Sequence, residues 1–112
     1  MSPSTPTADL RGKKLGVLIS TGPDHPNVGT CLGLARTAIA RGVHLYLYMI
    51  DDGVTNIDDD RFLELGRQGA KLFVCAYGCQ RRRLPITDKA VYCGLVVLTD
   101  LINGCDRFVA LN

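Results

Sequence analysis

The run Val43–Ile50 (VHLYLYMI) limits the fold more than any other stretch of the chain. Apart from His44 it is apolar throughout, whereas a strand with one wet face alternates polar and apolar residues. A strand of this kind is buried on both faces, as the central strand of a parallel sheet is. Parallel neighbours are joined by crossovers of a dozen or more residues, usually helical. The rest of the chain should therefore alternate strands with helices.

The flanking sequence does alternate. Lys14–Ser20 (KLGVLIS) is a short apolar run that stops at a strong turn signal, Thr21-Gly22-Pro23-Asp24-His25-Pro26. A helix is expected next, with Asn27 as N-cap and Gly42 just past its end. Within it Val28, Cys31, Leu32, Ala35, Ala38 and Ile39 fall in one stripe of roughly 120° on a helical wheel. Asp51-Asp52-Gly53 closes the central strand as a turn. Asp58–Asp60 supplies caps and first-turn acids for a short helix over Asp60–Gln68, ended by Gly69. Lys71–Cys75 (KLFVC) reads as a third buried strand. A loop or short helix follows, then a helix over Gly94–Asn103 capped by Gly104. Asp106–Leu111 (DRFVAL) is the last strand.

This order indicates an α/β domain with a mostly parallel sheet and right-handed crossovers. The chain has 112 residues, the size of one domain of roughly 100–150 residues. Residues 1–11 read as a flexible polar tail and residues 12–112 as the domain. The tail has no apolar segment of the secretory kind. A bilayer-spanning helix needs roughly 20 apolar residues, and the uncharged stretch Ala90–Thr99 has ten. Five cysteines spread over positions 31, 75, 79, 93 and 105 do not suggest a disulfide framework. A reducing, cytoplasmic setting without membrane association is expected. Thirteen Lys and Arg against eleven Asp and Glu leave a net charge of +2, too little to indicate nucleic acid.

In open parallel sheets the ligand site lies outside the carboxyl ends of the strands. Three loops gather there: Thr21–Pro26, Asp51–Thr55 and Cys75–Pro85. The third carries most chemistry. Cys75 ends a buried strand, and Arg81, Arg82 and Arg83 follow within eight positions. Neighbouring arginines favour the thiolate, the form in which cysteine is a nucleophile. Cysteine is also among the most buried residue types, so a packing role for Cys75 stays open. Three consecutive arginines cannot all face one site, so one or two at most serve Cys75. Cys79, four residues on, shares a face with Cys75 if the segment is helical, and is a candidate second thiol. His25 is a candidate proton carrier or anion donor in the first loop, or a loop residue without a role.

Cys31 and Cys105 read as packing residues, Cys93 just before a helix is ambiguous between packing and another role, and His44 reads as a core or interface residue. The cysteine and histidine spacing does not supply a four-ligand zinc set, and no metal or organic cofactor is expected. The phosphate-binding loop, the dinucleotide fingerprint and the serine-hydrolase elbow are all absent from the sequence.

In this order and spacing the segments resemble the DsrE/DsrF-like family of small sulfur-relay proteins. The marks are KLGVLIST with its polar loop, the helix ending in Ala40-Arg41-Gly42, and Leu45–Ile50 running into Asp52-Gly53-Val54. The strand-terminal LFVC with arginines downstream and the final DRFVAL strand complete them. The resemblance implies a single-domain three-layer α/β/α sandwich with a flavodoxin-like sheet. It implies homo-oligomers, trimers or hexamers, or hetero-oligomers with related subunits, working with sulfur donor and acceptor proteins. It also implies a sulfur carrier or sulfurtransferase in which Cys75 takes sulfane sulfur as a persulfide, with Arg81 and Arg82 as electrostatic support. Two other readings stay open. One is an oligomeric interaction subunit whose cysteines only pack. The other is a thiol redox sensor using Cys75 and Cys79.

Overall fold

The structure is a computed structural model that describes residues 9–112. Most of the expected N-terminal tail, residues 1–8, lies outside the described residues. Five strands form one sheet: β1 (Lys14–Ile19), β2 (His44–Met49), β3 (Lys71–Cys75), β4 (Val91–Cys93) and β5 (Arg107–Leu111). Four helices connect them: α1 (Pro26–Ala40), α2 (Asp60–Arg67), α3 (Ala76–Arg81) and α4 (Leu95–Gly104). A 3-10 segment, Asp51–Asp58, occupies the turn expected after the central strand.

The sheet order is β4-β3-β2-β1-β5, and every pairing is parallel. Val43–Ile50 thus does supply the central strand. The chain adds β2, β3 and β4 in one direction and then returns to the far edge for β5. Right-handed crossovers put α1 and α2 on one face and α4 on the other, which makes three layers.

The first face holds the densest packing. Val17, Leu47 and Leu72 lie in register across β1, β2 and β3, as do Ile19, Met49 and Val74 across the same strands. All six are buried. Each contributes about 1.5–3 kcal/mol of apolar burial. From above, α1 adds Val28, Cys31, Leu32, Ala35 and Ala38, while Ile39 is half-buried. Gly42 has φ +74° and closes α1 in the left-handed conformation that other residues resist. Gly53 is required for a different reason: a Cβ there would run into the carbonyl of Ile19.

The second face is thinly covered. No residue of α4 is fully buried. Tyr46, Phe73 and Phe108 are half-buried, and Val91, Leu95, Val96 and Ile102 are exposed. His44 is exposed rather than packed in the core.

Two details depart from the sequence expectation. The N-cap of α1 is His25, whose Nδ1 accepts the Asn27 amide at 3.0 Å, so Asn27 already lies inside the helix. The stretch between Cys75 and Gly94 contains both a short helix and a strand. With only three residues, β4 is too short to show a period. Among the described residues no helix is long and apolar enough to cross a membrane.

Candidate functional site

Cys75 is the last residue of β3 and the N-cap of α3. Its backbone is still extended, with φ −66° and ψ 113°. The Gly78 amide donates to its Sγ at 3.4 Å. Cys75 is 6% exposed and lines a cavity of about 290 Å³ at the carboxyl edge of the sheet. Asp51, Tyr77, Arg81, Arg82 and Leu95 form much of the surrounding wall.

The fold separates the three arginines. Arg82 is drawn inward. Its Nη1 donates to the Gly78 carbonyl at 3.1 Å and its Nη2 to Asp52 Oδ1 at 2.8 Å. Arg81 stands 5.9 Å from the centre of the Tyr77 ring, a cation–π contact at the mouth of the cavity. Arg83 has φ +56° and stands outside the cavity wall. Gly78 fits closely below them, because a Cβ there would lie 3.0 Å from Val54 Cγ1.

Cys79 does not join the cavity. It is 1% exposed and belongs to the apolar core. Burial, and then its neighbour Cys75, push its thiol above the ordinary range, with Arg82 opposing them. Cys75 is the cap of α3 and not one of its members, and Cys79 one turn on lies close enough for the two thiols to influence each other. His25 is spent on capping α1 and does not line the cavity either.

The sequence pattern does not single out the remaining neighbours. Asp51 lines the cavity with φ +52°, a left-handed conformation uncommon outside glycine. The Asp-Asp-Gly turn signal locates this residue but not its facing. Tyr48 is fully buried and donates to the Gly94 carbonyl at 3.0 Å, which pins the start of α4 to the central strand. Burial raises its pKa far above the ordinary value, and the thiols of Cys93 and Cys75 beside it add to the effect. Asn56 ties the loop after β1 to the 3-10 segment, its Nδ2 donating to the Thr21 carbonyl at 2.9 Å. Among the described residues no three His, Cys, Asp or Glu side chains are placed to share a metal ion.

The arrangement offers a thiol at the end of a strand, an amide N–H on its sulfur, and two guanidinium groups on the surrounding wall.

Comparison with known proteins gives the same outline. The crystal structure of the ychN protein from E. coli superposes with a TM-score of 0.68 at 17% sequence identity, covering 88% of this chain and 98% of that one. No curated protein matches the sequence. The model of the DsrE/DsrF-like family matches residues 13–111, which is nearly the whole chain. The chain therefore belongs to the DsrE/DsrF-like family.

Proposed function

We propose that the protein is a sulfur carrier that accepts sulfane sulfur on Cys75 as a persulfide and passes it to a partner thiol. Family membership supports a role in sulfur relay in general. The observation that carries the finer reading is Cys75 itself, at the strand end, on the cavity that Arg81 and Arg82 also line.

The chemistry needs no cofactor. The Cys75 thiolate attacks the outer sulfur of a donor persulfide, and the donor thiolate leaves. The product, Cys75–S–SH, is more acidic than a thiol and carries a negative charge that the two guanidinium groups favour. An acceptor thiolate then attacks the outer sulfur and regenerates the Cys75 thiolate, in the manner of thiol–disulfide exchange. Donor and acceptor are other proteins. Free, unpaired cysteines at all five positions fit a reducing intracellular setting.

A homo-oligomer, or a hetero-oligomer with related subunits, is part of this proposal. The exposed apolar residues of α4 and the adjoining sheet face support it, since patches of this kind mark interaction surfaces. The same surface also favours the second reading, an interaction subunit in which Cys75 carries no sulfur.

The test is intact-protein mass spectrometry after exposure to a sulfane-sulfur donor. Wild type should gain one or more sulfur atoms, and Cys75→Ser should gain none at this site. Equal uptake by Cys75→Ser, or none by any form of the protein, overturns the carrier reading. The second outcome makes the interaction subunit the surviving one.

A further inference from the structure

Cys93 stands beside Cys75. The two are register partners at the carboxyl ends of β3 and β4. Register partners in a parallel pair point to the same face of the sheet, and neighbouring strands lie roughly 4.8 Å apart. Disulfides bridge Cα separations of roughly 4.4–6.8 Å, so the strand spacing suits a bridge. Three further observations place the sulfurs in one neighbourhood. Both thiols border the buried Tyr48 hydroxyl. Cys93 Sγ donates to the carbonyl of Val74, the residue before Cys75, at 3.8 Å. Gly94, next to Cys93, lines the same cavity as Cys75. Cys79, the nearer cysteine in sequence, is almost wholly buried and does not line that cavity.

We propose that Cys93 is a resolving thiol that discharges a Cys75 persulfide when no acceptor is bound. The inference rests on the carrier reading of Cys75. In the step, the Cys93 proton passes to the outer sulfur of the anionic Cys75 persulfide and the Cys93 thiolate attacks the inner sulfur. A Cys75–Cys93 disulfide forms, the S–S bond of the persulfide breaks, and hydrosulfide leaves with the electron pair. The Cys93 sulfur is oxidised, the Cys75 sulfur keeps the level it reached on loading, and the outer sulfur is reduced to sulfide, so no outside oxidant enters. A thiol reductant of the cell then restores both cysteines. Burial, the foremost cause, raises the Cys93 thiol above its ordinary range, so little of it is thiolate at neutral pH. The low thiolate fraction slows resolution.

The full chain is loaded with inorganic polysulfide, freed of excess, and followed without acceptor by intact mass and by released sulfide. Wild type should pass from the mass of one added sulfur to a mass two hydrogens below the reduced chain, releasing one hydrosulfide. Peptide mapping should then find a 75–93 crosslink. Cys93→Ser should hold its persulfide about tenfold longer or more. Persulfides of equal lifetime in wild type and Cys93→Ser overturn the role of Cys93 and leave the carrier reading standing. Absence of any sulfur gain or crosslink in both forms overturns the carrier reading and this inference together. A second measurement needs no variant: mild diamide oxidation of the unloaded wild type should give the 75–93 crosslink, and a map with 75–79 in its place overturns the pairing.

Discussion

Arg82 Nη2 stands 2.8 Å from Asp52 Oδ1, an ion pair between the end of the helix behind Cys75 and the segment behind the central strand. The same guanidinium holds the Gly78 carbonyl through Nη1. One side chain thus fixes two of the three loops at the carboxyl edge, with Cys75 between them. The pair is 29% exposed on the Arg82 side and 77% on the Asp52 side, so its stability contribution is small. Arg82→Ala should lower stability by only about 0.5–1 kcal/mol. It should slow sulfur uptake on Cys75 by about three- to tenfold, as loss of a charge-assisted contact does. Arg82→Lys should not restore the rate, because one ammonium cannot replace the fork that holds both acceptors. Unchanged uptake in Arg82→Ala would remove this residue from the site. Chemical denaturation and time-resolved mass spectrometry supply the two readouts.

His25 separates capping from chemistry. Its Nδ1 accepts the Asn27 amide at the start of α1. His25→Ala should cost about 0.5–2 kcal/mol, the usual loss for a removed cap. His25→Asn, which keeps a side-chain acceptor, should recover most of it. Neither change should alter uptake on Cys75 measured well below the melting temperature. A loss of uptake in the stable Asn variant would return His25 to the site.

Cys31 predicts the response to alkali. Burial pushes its thiol up to about 12 from an ordinary 9.0. Between those values the folded chain keeps a proton that the unfolded chain releases. The contribution is fully present below the unfolded value and is lost as pH rises toward the folded one, at up to about 1.4 kcal/mol per pH unit. Urea titrations on either side of pH 9.0 should show this loss. Cys31→Ala should be less stable at neutral pH, through the missing core sulfur, yet show a shallower alkaline decline. An equal slope in both proteins would assign the decline to other groups.

Two glycines should respond with opposite signs. A Cβ at Gly53 meets the Ile19 carbonyl, so Gly53→Ala should destabilise by about 1–3 kcal/mol as overpacking does. Gly29 lies inside α1, and a Cβ there would have open space within 4 Å. Gly29→Ala should therefore stabilise by about 0.5–1 kcal/mol. Thermal melts of the two variants check both.

The thin cover on the second face bears on assembly. Val96 is 76% exposed and Ile102 49% exposed on α4. If this face joins subunits, sedimentation should find wild type as an oligomer, and Val96→Glu with Ile102→Glu should dissociate it without unfolding the chain. A monomeric wild type would leave the face without that role.

Local pattern determined much of this protein. The apolar runs Lys14–Ile19, His44–Met49 and Lys71–Cys75 and the stripe of α1 are legible because hydrophobic periodicity is written in consecutive residues. So is the position of Cys75 at a strand end followed by arginines. Tertiary structure decided the rest. Strand order places β4 beside β3 and so brings Cys93 next to Cys75 across eighteen positions of sequence. The left-handed turn at Arg83 leaves Arg81 and Arg82 on the cavity wall and sends Arg83 away from it. Burial of Cys79 and capping by His25 remove both from that wall. These are lateral relationships, settled only when long loops close and strands find their register. No local period encodes which residues then become neighbours.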